Sequence, residues 1–439
     1  MTEAKAHTEG FASLDETDPL VRELYHRVHE LAGLPVEART AKLHELAREA
    51  TRAATGAKPT ELRSIGALVD GALVRVMARA EGGETPVPMP WPELSAIYRG
   101  GLWPGMHLLV AGTGVGKTQW SLQLAHHAAT KGIRVGYVGL ELDELQVTLR
   151  LASLVDRTVP WSDWFVGCRD DNASDRAHKL GRLPAALDAL RSLPIRLDFA
   201  SPHGWPASRL GDVAREVRES EPDATKPILV VLDFLQLVGD EPGDQRRVEL
   251  RERIGRAAYQ ARAVAIEHNA AVLLISSTAR ENYLSGEVLA ALAGADVDGH
   301  ELRNPDSIVG MGKESGELEF SGDSVAVMAR MANVELDGGR AILFSVPKVR
   351  AGRARWDALR FNGHRLDSLR EPSGQVGERM RVESAVEAAV ALGADKLRKG
   401  SGRTKREDPE PANGTTKPAK GSGATTKADD DERNLEGFG

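Results

Sequence analysis

The chain has 439 residues, 41% hydrophobic and 28% charged, as in an ordinary soluble protein with room for two or three domains. A net charge of −7 excludes a global basic signal for nucleic acid, so any such site is a local patch. The single cysteine, Cys168, excludes an intramolecular disulfide framework and points to a reducing compartment. With no bilayer-length apolar run and a polar start, "MTEAKAHTEG", the expected location is the cytoplasm.

In chain order, residues 1–17 are expected to be disordered. Residues 18–84 form a helical N-terminal region, because "LVRELYHRVHELAGL", "ARTAKLHELAREATRAA" and "ELRSIGALVDGALVRVMARA" repeat apolar residues at three-and-four spacing. They make a small helical hairpin or bundle, or the last is a linker helix that docks on a neighbouring subunit. "EGGETPVPMPWP" then breaks the pattern and reads as a domain boundary. Over 85–370, strands and helices alternate. The expected strands are "HLLVAG", "RVGYVGL", "IRLDF", "ILVVLDF", "AVLLISS", "VAVMAR", "AILFSVPK" and "WDALRFNG". Fully apolar strands separated by helices imply a mostly parallel sheet covered on both faces. A further helix is expected within 371–398, near "VESAVEAAVALGADKLRKG". Residues 399–439 have almost no core-forming side chains and read as a disordered tail. Such a composition reads first as a plain solubilising tail; the alternative is that its basic part gathers nucleic acid by non-specific attraction and its acidic tip, with Leu435 and Phe438, docks a partner.

The chemistry starts at "LLVAGTGVGKTQWSLQLA". An apolar strand runs into Ala111, Gly112, Thr113, Gly114, Val115, Gly116, Lys117 and Thr118, and a helix follows. This is the P-loop pattern with alanine at the usual first glycine. Small residues let backbone N–H groups curl around a phosphate, and the helix N-terminus adds partial positive charge. Lys117 reaches the outer phosphates, and the Thr118 hydroxyl is set for Mg²⁺. "PILVVLDFLQL" ends an apolar strand near Asp233, where a carboxylate can hold the Mg²⁺ shell. "RVGYVGLELDE" ends another near Glu141, where a carboxylate can orient and deprotonate water. Either acid alone is as readily a helix cap or a solvated strand end. With the P-loop they form a hydrolytic constellation.

"GGLWPGMHLLVAGTGVGKTQWSLQLAHHAATKGIRVGYVGLELDELQVTLRLASL" resembles the ATPase domain of the DnaB-type replicative hexameric helicases. So do, in order, "ILVVLDFLQL", "RERIGRAAYQARAVAIEHNAAVLLISSTAR", "KESGELEFSGDSVAVMAR" and "AILFSVPKVRAGRARWDALRFNGHRLDSL". The likeness spans roughly residues 86–370. It implies a RecA-like α/β fold with a mostly parallel sheet and flanking helices, and ATP with Mg²⁺ as cofactors. It implies Glu141 as catalytic base, Asp233 as metal carboxylate, and Lys348 and Arg350 as a pair reaching into a neighbour's ATP site. Lys313, Glu314 and Gly316 match a loop that touches single-stranded DNA, with Lys313 where the family usually has arginine. The implied partners are single-stranded DNA and copies of the chain in a hexameric ring, with primase, a loader or other replication proteins beyond them.

Two departures stand out. Ser277 occupies the sensor position, where the family usually has glutamine, and its hydroxyl is shorter. The N-terminal region is unlike the family's, so contacts made there with primase or a loader do not carry over. His126 and His127, Trp161 and Trp164, and Cys168 read as structural, and Arg246 and Arg247 as solvated loop residues or DNA contacts. The leading expectation is a ring-forming, ATP-driven helicase or translocase on single-stranded DNA, in replication. A RecA-like regulatory ATPase without unwinding activity and a filament-forming recombination ATPase are the alternatives.

Overall fold

The computed structural model describes residues 64–200, 204–244, 247–278, 284–311, 321–369, 376–393 and 396. The readings for 1–63, for Arg246, for Lys313, Glu314 and Gly316, and for the tail beyond 396 lie outside the described residues. The chain divides into two units, Met1–Glu84 and Thr85–Gly439. In the first, helix α1 (Ile65–Ala80) is followed by Glu84, which pairs with Arg75 and Arg79 at 2.9 and 3.0 Å.

The second unit is built on a sheet of nine described strands. They are β1 (Gly105–Ala111), β2 (Val135–Gly139), β3 (Ile195–Phe199), β4 (Ile228–Asp233), β5 (Ala270–Ser277), β6 (Ser324–Leu336), β7 (Gly339–Val349), β8 (Arg355–Phe361) and β9 (Leu366–Ser368). Their order across the sheet is β3-β2-β4-β5-β1-β6-β7-β8-β9. The first six run parallel, and β6 to β9 close the sheet as an antiparallel meander. All eight strands expected from the sequence are present. The ninth, β9, has three residues, too few for an alternating pattern to register.

Strand alternation sorts the core into two layers. Along β4, Ile228, Val230 and Leu232 face one side, and Leu229 and Val231 the other. The first side is covered by α7 (Arg209–Glu219), α8 (Leu250–Glu267), α9 (Gly286–Ala293) and α10 (Val376–Leu392). The second is covered by α2 (Pro92–Ile97), α3 (Lys117–Thr130) and α4 (Glu144–Val155). Central strands apolar on both faces follow directly, since each must bury both sides. A satellite cluster under α5 (Trp161–Phe165) and α6 (Ala173–Arg191) buries Trp164 and Cys168. Trp164 packs there and donates through Nε1 to the Lys179 carbonyl at 2.9 Å, while Trp161 lies edge-on to Phe165.

The P-loop helix α3 is fastened to the sheet by aromatic stacking. Trp120 stacks on Trp91 at 5.0 Å and on Phe344 at 5.4 Å. Gln123 closes a two-way bond with the Leu366 backbone, at 2.8 and 2.9 Å. The short β9 thus holds α3 in register with the far edge of the sheet.

Candidate functional site

Four parallel strands, β1, β2, β4 and β5, end together at one rim of the sheet, and the loops that leave them meet there. In open α/β sheets this rim is where ligands bind. The loop after β1 turns through Gly114 (φ 75°) and Gly116 (φ 110°), left-handed conformations that glycine adopts without strain. A Cβ at Gly116 would also meet the Phe361 ring at 3.4 Å. Helix α3 then starts at Lys117 with no side-chain cap. By contrast α4, α6 and α9 are capped by Asp143, Asn172 and Ser285. The first N–H groups of α3 therefore have no side-chain acceptor and point, with the helix dipole, at the space in front of the loop, an arrangement suited to phosphate.

Lys117 is buried, its ammonium 5.3 Å from the centroid of the Phe234 ring. Asp233, at the end of β4, is 2% exposed. Tyr137 Oη donates to its Oδ2 at 2.8 Å, and Ser121 bonds Tyr137 Oη at 2.9 Å. Burial raises the Asp233 pKa, and Thr118, Tyr137 and the Lys117 charge act against that rise. Its Oδ1 is buried and has no hydrogen-bond partner among the described residues. A buried carboxylate oxygen left over beside a threonine hydroxyl fits Mg²⁺, which takes one or two protein ligands and completes its shell with water and phosphate oxygens. Thr118 and Asp233 would hold that ion, which would supply positive charge to the phosphate oxygens.

Glu141 lies two residues past the end of β2. The Leu140 N–H donates to the Asp233 carbonyl at 2.7 Å, tying the end of β2 to that of β4. The Glu141 carboxylate is exposed, and its charge acts on Asp233. Thus Lys117, Thr118, Asp233 and Glu141 share one rim. Thr278 N–H donates to the Ala111 carbonyl at 3.3 Å, so the end of β5 is joined to the P-loop as well. A cavity of about 240 Å³ opens beside the loop, lined by Gly112, Thr113, Thr278, Ser285, Met311 and Arg330 among others.

Lys348 and Arg350 are elsewhere. Ser324 on β6 pairs with Val349 and is level with His107 at the start of β1. The P-loop leaves the other end of β1. Six residues of strand at roughly 3.3 Å each separate Met106 from Gly112, so Arg350 is roughly 20 Å from its own P-loop.

Sequence patterns do not single out two residues near this rim, Gln236 and Arg150, or one at the opposite end of β1, Asp323. Gln236 bridges β4 and β5: its Nε2 donates to Ser276 Oγ at 2.9 Å, and its Oε1 accepts from Ser277 N–H at 3.2 Å. Arg150 lies 3.9 Å over the Trp161 ring and donates to Gln119 at 3.2 Å, with Asp233 and Glu141 acting on its charge. Asp323 pairs with Arg350 at 3.0 Å. Gln236 was visible in "LDFLQL", but its partners follow only from the adjacency of β4 and β5.

The family model of the DnaB-like helicase C-terminal domain matches residues 88–367. The replicative DNA helicase DnaB of Geobacillus stearothermophilus is 23% identical over 267 residues, 58% of this chain and 50% of that protein. The chain therefore spans about half the length of that curated relative. A solved structure described as an ATPase domain superposes with a TM-score of 0.55 at 21% identity, over 69% of this chain and 98% of its own. A DnaB-like replicative helicase, described with its interactions with primase, superposes with a TM-score of 0.54 at 19% identity, over 80% and 75%. At these identities the structural likeness concerns the fold, a RecA-like sheet with flanking helices.

Proposed function

The chain belongs to the DnaB-like helicase C-terminal domain family, and we propose that it is an ATP-driven helicase that moves on single-stranded DNA as a ring in replication. One observation supports a site shared between copies: Arg350 lies roughly 20 Å along the strand from the P-loop of its own chain, so a nucleotide site that uses both takes Arg350 from a second copy. In this reading Gly112 to Thr118 wrap the phosphates, and Lys117 neutralises the outer ones. Thr118 and Asp233 would hold Mg²⁺, which would supply positive charge beside the phosphate oxygens. Glu141 takes the proton of the attacking water. Lys348 and Arg350 of the neighbouring copy meet the charge that builds on the transferring phosphoryl group, an effect worth on the order of a thousandfold or more.

Lys313, Glu314 and Gly316, outside the described residues, are the proposed contacts to DNA phosphates. Lysine there neutralises a phosphate as a point charge, without the arginine fork. Further copies in a hexameric ring and single-stranded DNA are the partners this reading requires, and primase is a further candidate. A cytoplasmic location goes with it. Among the described residues no helix is long and apolar enough to cross a membrane.

The test is strand displacement on a forked duplex with ATP and Mg²⁺. The full-length protein is expected to release the strand, Lys117→Ala to lose ATP hydrolysis and release together, and Glu141→Gln to bind ATP but turn it over poorly. ATP hydrolysis without any strand release would select the regulatory ATPase instead, the reading to which the short Ser277 side chain lends support.

A further inference from the structure

At the start of β1, far from the P-loop, Asp323 is held from three sides. Its N–H donates to the Met106 carbonyl at 2.7 Å, its Oδ2 accepts the Met106 N–H at 2.8 Å, and its carbonyl accepts the Arg350 N–H at 2.9 Å. The remaining oxygen, Oδ1, meets Arg350 Nε at 3.0 Å. Gly105 makes the approach possible, because a Cβ there would fall 2.7 Å from Asp323 Oδ2. The carboxylate therefore has both oxygens committed and a fixed direction. Arg350 is 54% exposed, so its guanidinium is fastened near its root and open at its tip.

We propose that Asp323 is a positioning residue that aims the Arg350 guanidinium at the nucleotide of the neighbouring copy. The proposal rests on the reading that Arg350 works in trans. An exposed arginine explores many rotamers, and that freedom must be given up when it is fixed. A carboxylate clamped to the backbone of β1 fixes the guanidinium before the neighbour arrives, which lowers the ordering needed on assembly. Asp323 is also the anion among three cations. Lys348 feels both Arg350 and Arg262 as repulsive charges and Asp323 as an attractive one. Removing the negative charge leaves the Lys348 and Arg350 side chains to repel each other.

The experiment mixes full-length variants so that only one kind of interface works. Arg350→Ala copies keep an intact P-loop and lack the finger. Lys117→Ala copies keep the finger and lack phosphate binding. Mixed, they are expected to hydrolyse ATP where an intact P-loop meets an intact Arg350. Asp323→Asn is then placed in one partner at a time. In the Lys117→Ala copy, which supplies the finger, it is expected to lower kcat by roughly ten- to a hundredfold, with the KM for ATP unchanged. In the Arg350→Ala copy it is expected to leave kcat where it was, which a general loss of folding would not do. An equal fall in both placements, or no fall in the finger-supplying copy, overturns the proposal. If the two parent variants do not complement at all, the trans reading itself fails and the proposal with it.

Discussion

Gln236 joins the ends of β4 and β5. Its amide holds both the Ser276 hydroxyl and the Ser277 N–H, at the position proposed for the sensor. Gln236→Leu keeps the bulk and removes both bonds. The Ser277 N–H then loses its acceptor at a half-buried position, at a cost of about 1–3 kcal/mol. The expected result is a lower Tm and a kcat for ATP reduced about tenfold, with a smaller change in KM, because the loss falls on alignment at the strand ends. Wild-type Tm and kcat would refute that role. At this scale the P-loop residues, Thr118 and Asp233 can be proposed from the sequence because a short local pattern names them. Gln236, Arg150 and Asp323 were not, because each acts on a residue 27 to 41 positions away, as Asp323 does on Arg350 and Gln236 on Ser277.

Helix α10 buries Val382, Val386 and Ala389, the two valines within the core layer it shares with α9 and the sheet, and a buried ionic group pins its first turns. Arg379 bonds Asp357, Glu383 and the His300 ring. His300 lies 4.7 Å from Trp356, and Asp357 is 3% exposed. Arg379→Met leaves Asp357 charged and without its main partner, so an unfolding free energy lower by about 3–5 kcal/mol is expected in a urea titration. Adding Asp357→Leu to that variant is expected to recover much of the loss, since the uncompensated charge goes too. Arg381→Met removes an exposed side chain that pairs with Asp337 and donates to the Glu335 carbonyl, and is expected to change stability by about 1 kcal/mol or less. If Arg379→Met and Arg381→Met melt alike, the buried group is not what holds α10. The apolar repeat of this helix can be read in "RVESAVEAAVAL". Its anchor cannot, because His300 and Asp357 come from loops and strands 79 and 22 residues away.

Over the whole molecule, the strands and their burial followed from apolar runs, and the order β3-β2-β4-β5-β1-β6 did not. Composition says that a strand is buried on both faces; which strands neighbour it depends on crossovers that no local pattern encodes. The same holds for the separation of the P-loop from Arg350, which only the register of β6 against β1 and β7 reveals.

Burial on this scale also sets a pH response. His107, His126, His127, His268 and His364 all have pKa values lowered, in each case first by loss of solvation. For His126, in the P-loop helix, burial, His127 and Arg157 push the pKa down to about 4, from 6.5. Between those values the unfolded chain binds a proton that the folded chain refuses. Stability is then complete above about pH 6.5 and falls as the pH drops, levelling only below the folded pKa. His126 alone is expected to remove roughly 1–2 kcal/mol between pH 7 and pH 5, and the other four act in the same direction. The measurement is Tm across that range for the wild type and for His126→Gln, which cannot take the proton. The variant is expected to have the shallower slope, whatever its Tm at pH 7. Equal slopes would mean that His126 keeps an ordinary pKa in the folded chain, and that the acid side of the stability curve is set by the carboxylates instead.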